Sequence, residues 1–497
     1  MRGVLALDQG GHASRACIVD ERGEIVAEQQ VAIATAHGGD GEVEHNADEI
    51  APSLRTAAAG VLRDAGDLVI EAAGLATQRS TIVCFDRRSG SALSPAISWQ
   101  DRRNAAWLQG FAPHTARIGE LTGLPLSPHY GVGKMRWCLD HLPAVRRARG
   151  AGDLGLGPLA SYLMMRLTGG AALADPANAS RTLLWDSAER DWSAELLALF
   201  GIERAWLPVC TPTRTLYGHL QLGAAGTARA IALSAVTGDQ SAIPFAFGAP
   251  DPTCVYINLG TGAFIQRPLA VRPVEAAPLL ASVLLAYRMG ALYSLEGTVN
   301  GAGAAISRFV AEAGVPEAAL WPQLERLAPA LVLPLYVNGI GGLGSPYWRA
   351  QQASYFVGDG DGNGDGHGNG NGAALQRFAA VLESIVFLIA INFDLMRSRG
   401  GALSRVIVSG GLSRSDWLCR RLAAVLGVPV LRGAQEATVL GVAALAAPEL
   451  FDSDRVAGAG QPRSALTALP RFEPDLLPAA ERAALAARRA RFEDALR

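Results

Sequence analysis

Lysine is nearly absent from this 497-residue chain: of 44 lysines and arginines, only Lys134 is a lysine. A GC-rich, arginine-favouring codon usage explains the arginine excess but not why a lysine persists at that one place. Cysteine is sparse too. Cys17, Cys84, Cys138, Cys210, Cys254 and Cys419 are scattered singly, with no CxxC pair and no Cys/His cluster at zinc spacing. That pattern argues against a disulfide scaffold and a structural zinc site, and a cytoplasmic protein with reduced thiols is expected. Net charge is close to zero, at −2, so no nucleic-acid partner recruited by bulk charge is expected. No secretory leader pattern follows Met1. The most apolar stretch, FAAVLESIVFLIAINF, is interrupted by Glu383 and Asn392, and no membrane insertion is expected.

Hydrophobic residues, at 49%, are plentiful, and the length is too great for one compact core. GVLALD, SRACIVD and GEIVAEQQVAI read as three strands parted by turns at Gln9 to Ala13 and Glu21 to Gly23. Near residue 250 the pattern returns as TCVYINLGTGAFIQRPLA, strand, glycine turn, strand, which suggests two similar domains rather than a short-period solenoid. Elsewhere apolar strands such as AAGLATQ and RVIVSGG alternate with helical patterns at 101–110, 156–168, 375–398 and 413–426, as in an α/β protein. Ser413 or Ser415 would cap the last helix, with Gly427 ending it. GDGDGNGDGHGNGNG, residues 358–372, imitates the first half of a calcium loop. Gly370 stands where the bidentate glutamate is needed, so a flexible surface loop is the expectation.

Several polar motifs fall at strand ends, where ligands gather in α/β sheets. In order they are LALDQG…SR, ATQRSTIV, ISWQDRR, GKMRWCLDH, DPANASRTLLWD, TGDQSA, NLGTGAF, GLGSPYW and VSGGLSRSDWL. This ordered series, from about residue 3 to about residue 446, resembles the FGGY family of carbohydrate kinases, its glycerol kinase members most closely.

The resemblance implies an α/β fold of two actin-like (RNase H-like) domains around an interdomain cleft. Residues 1–247 would form the substrate-binding domain with the first phosphate loop. Residues 248–450 would form the nucleotide-binding domain, and 451–497 a C-terminal extension. It further implies phosphoryl transfer from ATP, with Mg²⁺, to an alcohol, and the family often forms homo-oligomers. Such transfer needs charge neutralised on the phosphates, an in-line hydroxyl and an acceptor for its proton.

Asp239 resembles the family's catalytic base, with Gln240 beside it to orient a hydroxyl; otherwise it is a helix-capping or turn aspartate. Asp8 resembles the acid that holds the metal. Gly10, Gly11, His12 and Arg15 form the first phosphate loop, Gly260, Thr261 and Gly262 the second. Gly303, Gly410 and Gly411 would pass close to the nucleotide. Gln78, Arg79, Ser80, Trp99 and His129 would contact the acceptor, Trp99 as an apolar wall unless it is core packing. Lys134 keeps its place in the family's first signature, which suggests a site fitting a compact ammonium and not a planar guanidinium.

The departures fall on polar contacts. Gly11 and His12 replace two threonines of the family's first loop, Ser80 a glutamate that binds glycerol hydroxyls, His129 a tyrosine, and Ser409 an aspartate. Losing that glutamate points away from glycerol and toward a larger polyol or a ketose. Two functions are therefore expected to compete: a kinase of a primary hydroxyl on a small polyol or sugar, and a catalytically weak sugar- or nucleotide-binding regulatory protein. A hydrolase or sensor of the wider actin-like superfamily leaves Arg79, Trp99 and Lys134 without a role.

Overall fold

The computed structural model describes residues 1–222, 230–327, 333–357, 371–451 and 469–497. Two mixed sheets organise it. The first uses β1 (Arg2–Gln9), β2 (Ala13–Asp20), β3 (Ile25–Ala32), β4 (Val69–Thr77), β5 (Arg214–Leu220) and β6 (Ile231–Gly238), in the order β5-β6-β4-β1-β2-β3. The second uses β7 (Cys254–Leu259), β8 (Ala263–Leu269), β9 (Leu280–Tyr287), β10 (Gly290–Val299), β11 (Arg405–Ser409), β12 (Val430–Arg432) and β13 (Arg471–Phe472), in the order β9-β10-β8-β7-β11-β12-β13.

Six strands of the second order match the six of the first, and β9 is an addition, antiparallel to β10 at its edge. β1 pairs antiparallel with β2 and parallel with β4, and β2 pairs antiparallel with β3. In the second sheet β7 pairs antiparallel with β8 and parallel with β11, and β8 pairs antiparallel with β10. Each sheet is extended by one more parallel strand and closed by an antiparallel one: β6 and β5 in the first, β12 and β13 in the second. The recurrence read from the sequence is thus a duplicated domain, and these are the two actin-like domains. Central strands such as β1 are buried from Gly3 to Leu7, as a strand covered on both faces must be, whereas edge strand β3 is largely open.

The main helices are α1 (Ala47–Asp64), α2 (Gly131–His141), α3 (Leu159–Thr168), α4 (Gly303–Ala313), α5 (Asn371–Gly400), α6 (Asp416–Leu426), α7 (Ala437–Ala446) and α8 (Ala479–Ala495). Ser415 caps α6 by accepting the Leu418 N–H, and Gly427 ends it in the left-handed conformation. The helix expected at 101–110 shrinks to Ala105–Gln109. Its first residues are claimed by a turn, because the Asp101 carboxylate accepts the N–H groups of Val43 and Arg103. The helix expected from 156 begins at Leu159, since Leu154–Pro158 pair as a strand with Ile82–Asp86.

α5 corrects the reading of its apolar stretch. By length and composition Gly372–Gly400 could cross a membrane, yet 83% of its most apolar window is buried inside the protein. Glu383 meets Arg421 and Arg488, and Asn392 bonds Ser345, so both polar residues are satisfied within the core. The glycine-rich segment 358–372 lies outside the described residues up to 370, and α5 takes up its last two. Within 451–497, the described residues 469–497 supply β13 to the second sheet and α8 to its helical layer.

The domains meet closely. Helix α7, late in the chain, lays Val439, Val442, Ala443 and Ala446 on Val4, Ala6, Ala72 and Ala76 of the first sheet. A Cβ on Gly441 would lie 2.0 Å from the Ala242 carbonyl oxygen, so only glycine permits this approach.

Candidate active site

Asp8 sits near the end of β1, directly across the ladder from Arg15 of β2. The turn between them is held from three sides. The Gln9 and Gln78 amides both donate to the Gly10 carbonyl, at 3.0 and 3.3 Å, and the Thr35 hydroxyl donates to that of Gly11 at 3.2 Å. His12 is exposed. Arg15 bonds the Glu436 carboxylate and approaches Glu28 at 3.3 Å. One oxygen of Asp8, Oδ1, is buried with no partner among the described residues. Burial first, and the charge of Asp239 second, push its carboxyl up to about 7 against the pull of Arg15.

Strands β4 and β6 run parallel with Thr77 beside Gly238, so the segments Gln78–Ser80 and Asp239–Ser241 leave adjoining strand ends. Asp239 opens a short helical turn, accepts the Gln240 N–H at 2.7 Å, and keeps 27% of its side chain open. Its carboxyl is raised above the ordinary value, by burial and the Glu296 charge, against the lowering pull of Arg79 and the Gln240 hydrogen bonds. Arg79 Nε stands 3.8 Å from Asp239 Oδ1. Gln78 Oε1, Ser80 Oγ, Thr237 Oγ1 and Ser241 Oγ are all buried with no partner among the described residues. Ser80 also holds a left-handed backbone, φ 64°, a strained conformation of the kind that collects at functional sites.

Lys134, fully buried at the start of α2, explains its own persistence. Its ammonium donates to the Ser80 carbonyl at 2.9 Å and the His129 carbonyl at 2.7 Å, tying two loops to one point. Burial lowers it to about 7. The His129 ring packs edge-on to Trp99 with centroids 5.6 Å apart. Burial, then Lys134, Arg181, Arg102 and Arg79, hold its imidazole well below the usual range, so it is neutral at neutral pH. Trp99 is half-buried and belongs to none of the hydrophobic clusters, which argues against a role as core filler.

In the second domain a cavity of about 870 Å³ is lined by Gly260, Thr261, Gly303 and Gly411, with Trp321 and Arg414 farther along. The Gly303 N–H donates to the Gly260 carbonyl, and the Ala302 and Ala304 N–H groups to that of Thr261, so the glycine turn after β7 is fastened to the N-terminus of α4. Gly410, φ 83°, backs onto the Leu259 carbonyl, which a Cβ would meet at 2.6 Å. The Cβ of a residue at 411 would meet nothing within 4 Å. Gly262 faces the Val299 carbonyl instead, and Gly10, Gly11, His12 and Arg15 do not line this cavity.

Four participants escaped the sequence reading. Glu296 and Arg181 meet Arg79 in a buried cluster, while Trp321 and Arg414 line the cavity. Glu296 left one signal, a lone charge inside the otherwise uncharged strand GALYSLEGTV. Arg181 lies in the block DPANASRTLLWD, where nothing local marks it as a partner of residues in the other domain.

Known proteins fix the class to which this fold and cleft belong. The N-terminal domain of the FGGY family of carbohydrate kinases matches residues 3–246, and the C-terminal domain of that family matches 255–449. The chain belongs to the FGGY family of carbohydrate kinases. It is 35% identical over 454 residues to a glycerol kinase of Rhodospirillum rubrum, covering 89% of each chain, and 34% identical over 458 residues to one of Alkalilimnicola ehrlichii, covering 90% of each. Among solved structures, the glycerol kinase of Plasmodium falciparum with ADP superimposes with a TM-score of 0.86 at 21% identity, covering 100% of this chain and 98% of that one. A ligand-bound xylulose kinase of Lactobacillus acidophilus gives 0.81 at 19% identity, with 100% and 98% covered. The protein is accordingly a glycerol-kinase-like phosphotransferase with an alcohol acceptor, and its family uses ATP with Mg²⁺.

The residues present fit those cofactors. Mg²⁺ prefers one or two carboxylates together with phosphates and water over an all-protein cage. Asp8 offers an unpartnered buried oxygen near a second carboxylate, and no group of three or more acidic, His or Cys residues suited to a metal occurs among the described residues. The glycine-lined cavity is of a size suited to a nucleotide.

Proposed function

We propose that the chain phosphorylates a primary hydroxyl of a small polyol or sugar larger than glycerol, with Asp239 as the base. What carries this reading is the pairing, at two adjoining strand ends, of a raised carboxyl on Asp239 with four buried oxygens that have no partner among the described residues: Gln78 Oε1, Ser80 Oγ, Thr237 Oγ1 and Ser241 Oγ. An unmet buried hydroxyl or amide costs about 1–3 kcal/mol, which a polyhydroxylated ligand would relieve. Asp239 takes the proton of the attacking hydroxyl at its carboxylate, and Gln240 and Arg79 orient that hydroxyl. Trp99 supplies an apolar wall. Neutral His129 has one ring nitrogen to donate and one to accept. Asp8 would hold Mg²⁺, while Thr261 and the backbone N–H groups near Gly260, Gly303 and Gly411 would receive the nucleotide; bound MgATP brings the phosphoryl group and the charge that offsets its oxygens. ADP release assayed over a panel of polyols and ketoses tests the reading. A four- to six-carbon acceptor is expected to outrun glycerol, and turnover of none above the Asp239→Asn background would sink it.

The first loop favours a second reading, a binding protein of little activity, because Gly11 and His12 bring no hydroxyls to the phosphates. Calorimetry showing sugar or MgATP binding without turnover would support it. The space itself is not lost: a Cβ on Gly11 would meet only Gln78 Oε1, at 3.7 Å, and its backbone is not left-handed. Gly11→Thr is therefore expected to fold normally and to raise kcat by about ten- to hundredfold, the worth of one hydrogen bond to a charged group. A fall in kcat would show that the bare loop is required.

A further inference from the structure

Arg79 faces two carboxylates and is bonded closely to only one of them. Its terminal nitrogens reach Glu296 in a bidentate pair, Nη1 to Oε1 at 2.7 Å and Nη2 to Oε2 at 3.2 Å, and Nη1 also donates to the Ser282 hydroxyl at 3.1 Å. Only its Nε edge looks toward Asp239, 3.8 Å away. Arg181 completes the cluster, bonding Glu296 Oε2 and donating to Ser282 at 2.8 Å. All three charged side chains are buried, Glu296 at 2% exposure. Ser294 is the further polar neighbour of Glu296, 3.5 Å away. Glu296 and Ser282 belong to β10 and β9 of the second domain, 217 and 203 residues from Arg79.

Guanidinium prefers a bidentate carboxylate, and Arg79 has two within reach. If Asp239 won that competition, both oxygens of the base would be tied up and its affinity for a proton would fall. We propose that Glu296 is a positioning residue: from across the domain boundary it occupies the bidentate end of Arg79, keeps that arginine off Asp239, and leaves the Nε edge to the acceptor. Arg181 offsets the buried charge of Glu296, which would otherwise sit between one arginine and a low-dielectric core. The arrangement exists only with the second domain's β9 and β10 seated against the first, so a productive acceptor site requires the two domains to be engaged.

This inference rests on the acceptor site and base proposed above. Glu296→Gln is expected to lower kcat/KM for the best acceptor of the panel by about 100-fold, the order of loss that follows small misplacement of a site group. The KM for MgATP should stay within about twofold, because the nucleotide cavity does not include this cluster. Glu296→Asp, which keeps the carboxylate, should recover at least about tenfold of the loss. Should E296Q fail to fold with Arg181 left without its carboxylate, the charge-balanced double variant E296Q/R181Q carries the same comparison. Equal losses in acceptor and MgATP constants, or an E296D no better than E296Q, would overturn the proposal. Wild-type activity unaffected by Asp239→Asn would instead overturn the assignment of the base, so the two failures are told apart.

Discussion

Asp239→Asn is expected to lower kcat by about 10²- to 10⁴-fold, the usual contribution of a positioned general base. The amide keeps the shape of the carboxylate and its place beside Gln240, but it cannot accept the proton of the attacking hydroxyl. Folding should be unharmed, since burial already taxes the charged form of this group and 27% of the side chain remains open. The wild-type pH profile supplies the sign. Only ionised Asp239 is a base, so kcat/KM for the acceptor falls as pH drops through its pKa. That pKa is raised by burial, with Arg79 and the Gln240 hydrogen bonds pulling against and Glu296 adding to the rise. The acid limb should therefore lie above the ordinary carboxylate range and vanish in the Asn variant. Residual activity above about a tenth of wild type, or an unchanged limb, would mean the proton goes elsewhere.

Glu383→Gln is expected to destabilise the second domain by about 3–5 kcal/mol, the cost of stripping one partner from a buried ion pair. Glu383 sits in the middle of α5 at 2% exposure and receives Arg488 of α8 through two bonds of 2.7 Å, with Arg421 of α6 at 3.3 Å. The neutral amide would leave Arg488 without an anion, whereas Arg421 keeps Glu481 at 2.6 Å and its stacking on Trp417. Release should begin at α8, whose Phe492 packs on Phe387 of α5. Urea unfolding gives the magnitude, and limited proteolysis should cut the C-terminal segment first. A change below about 1 kcal/mol would show that water replaces the pair at no cost.

Several features were legible because the forces behind them are local. Continuous apolar runs ended by glycine turns gave the repeated strands, and Ser415 and Gly427 gave the ends of α6, since caps are satisfied by neighbours in sequence. Other local patterns misled. The run after Asp101 has helical residues, but Val43, far away in sequence, takes the carboxylate into a turn. The helix expected at 375–398 forms and runs for 30 residues, but its partners were not legible: Glu383 and Asn392 are satisfied inside the core by Arg488 and Ser345, which lie far away in sequence.

The sequence by itself determined the family series, the duplicated strand and turn pattern, and the solitary Lys134, because each is written in residue type and spacing. Only the tertiary structure decided what Lys134 binds, two carbonyls brought together by loops that share no local pattern. It alone joined Arg79 to Glu296 and Arg181, assembled a cavity from Gly260, Gly303, Trp321 and Gly411, and showed that residues 469–497 complete the second sheet and its core. Buried charges choose partners by distance and dielectric after the chain has folded, and that choice has no period for a sequence to display.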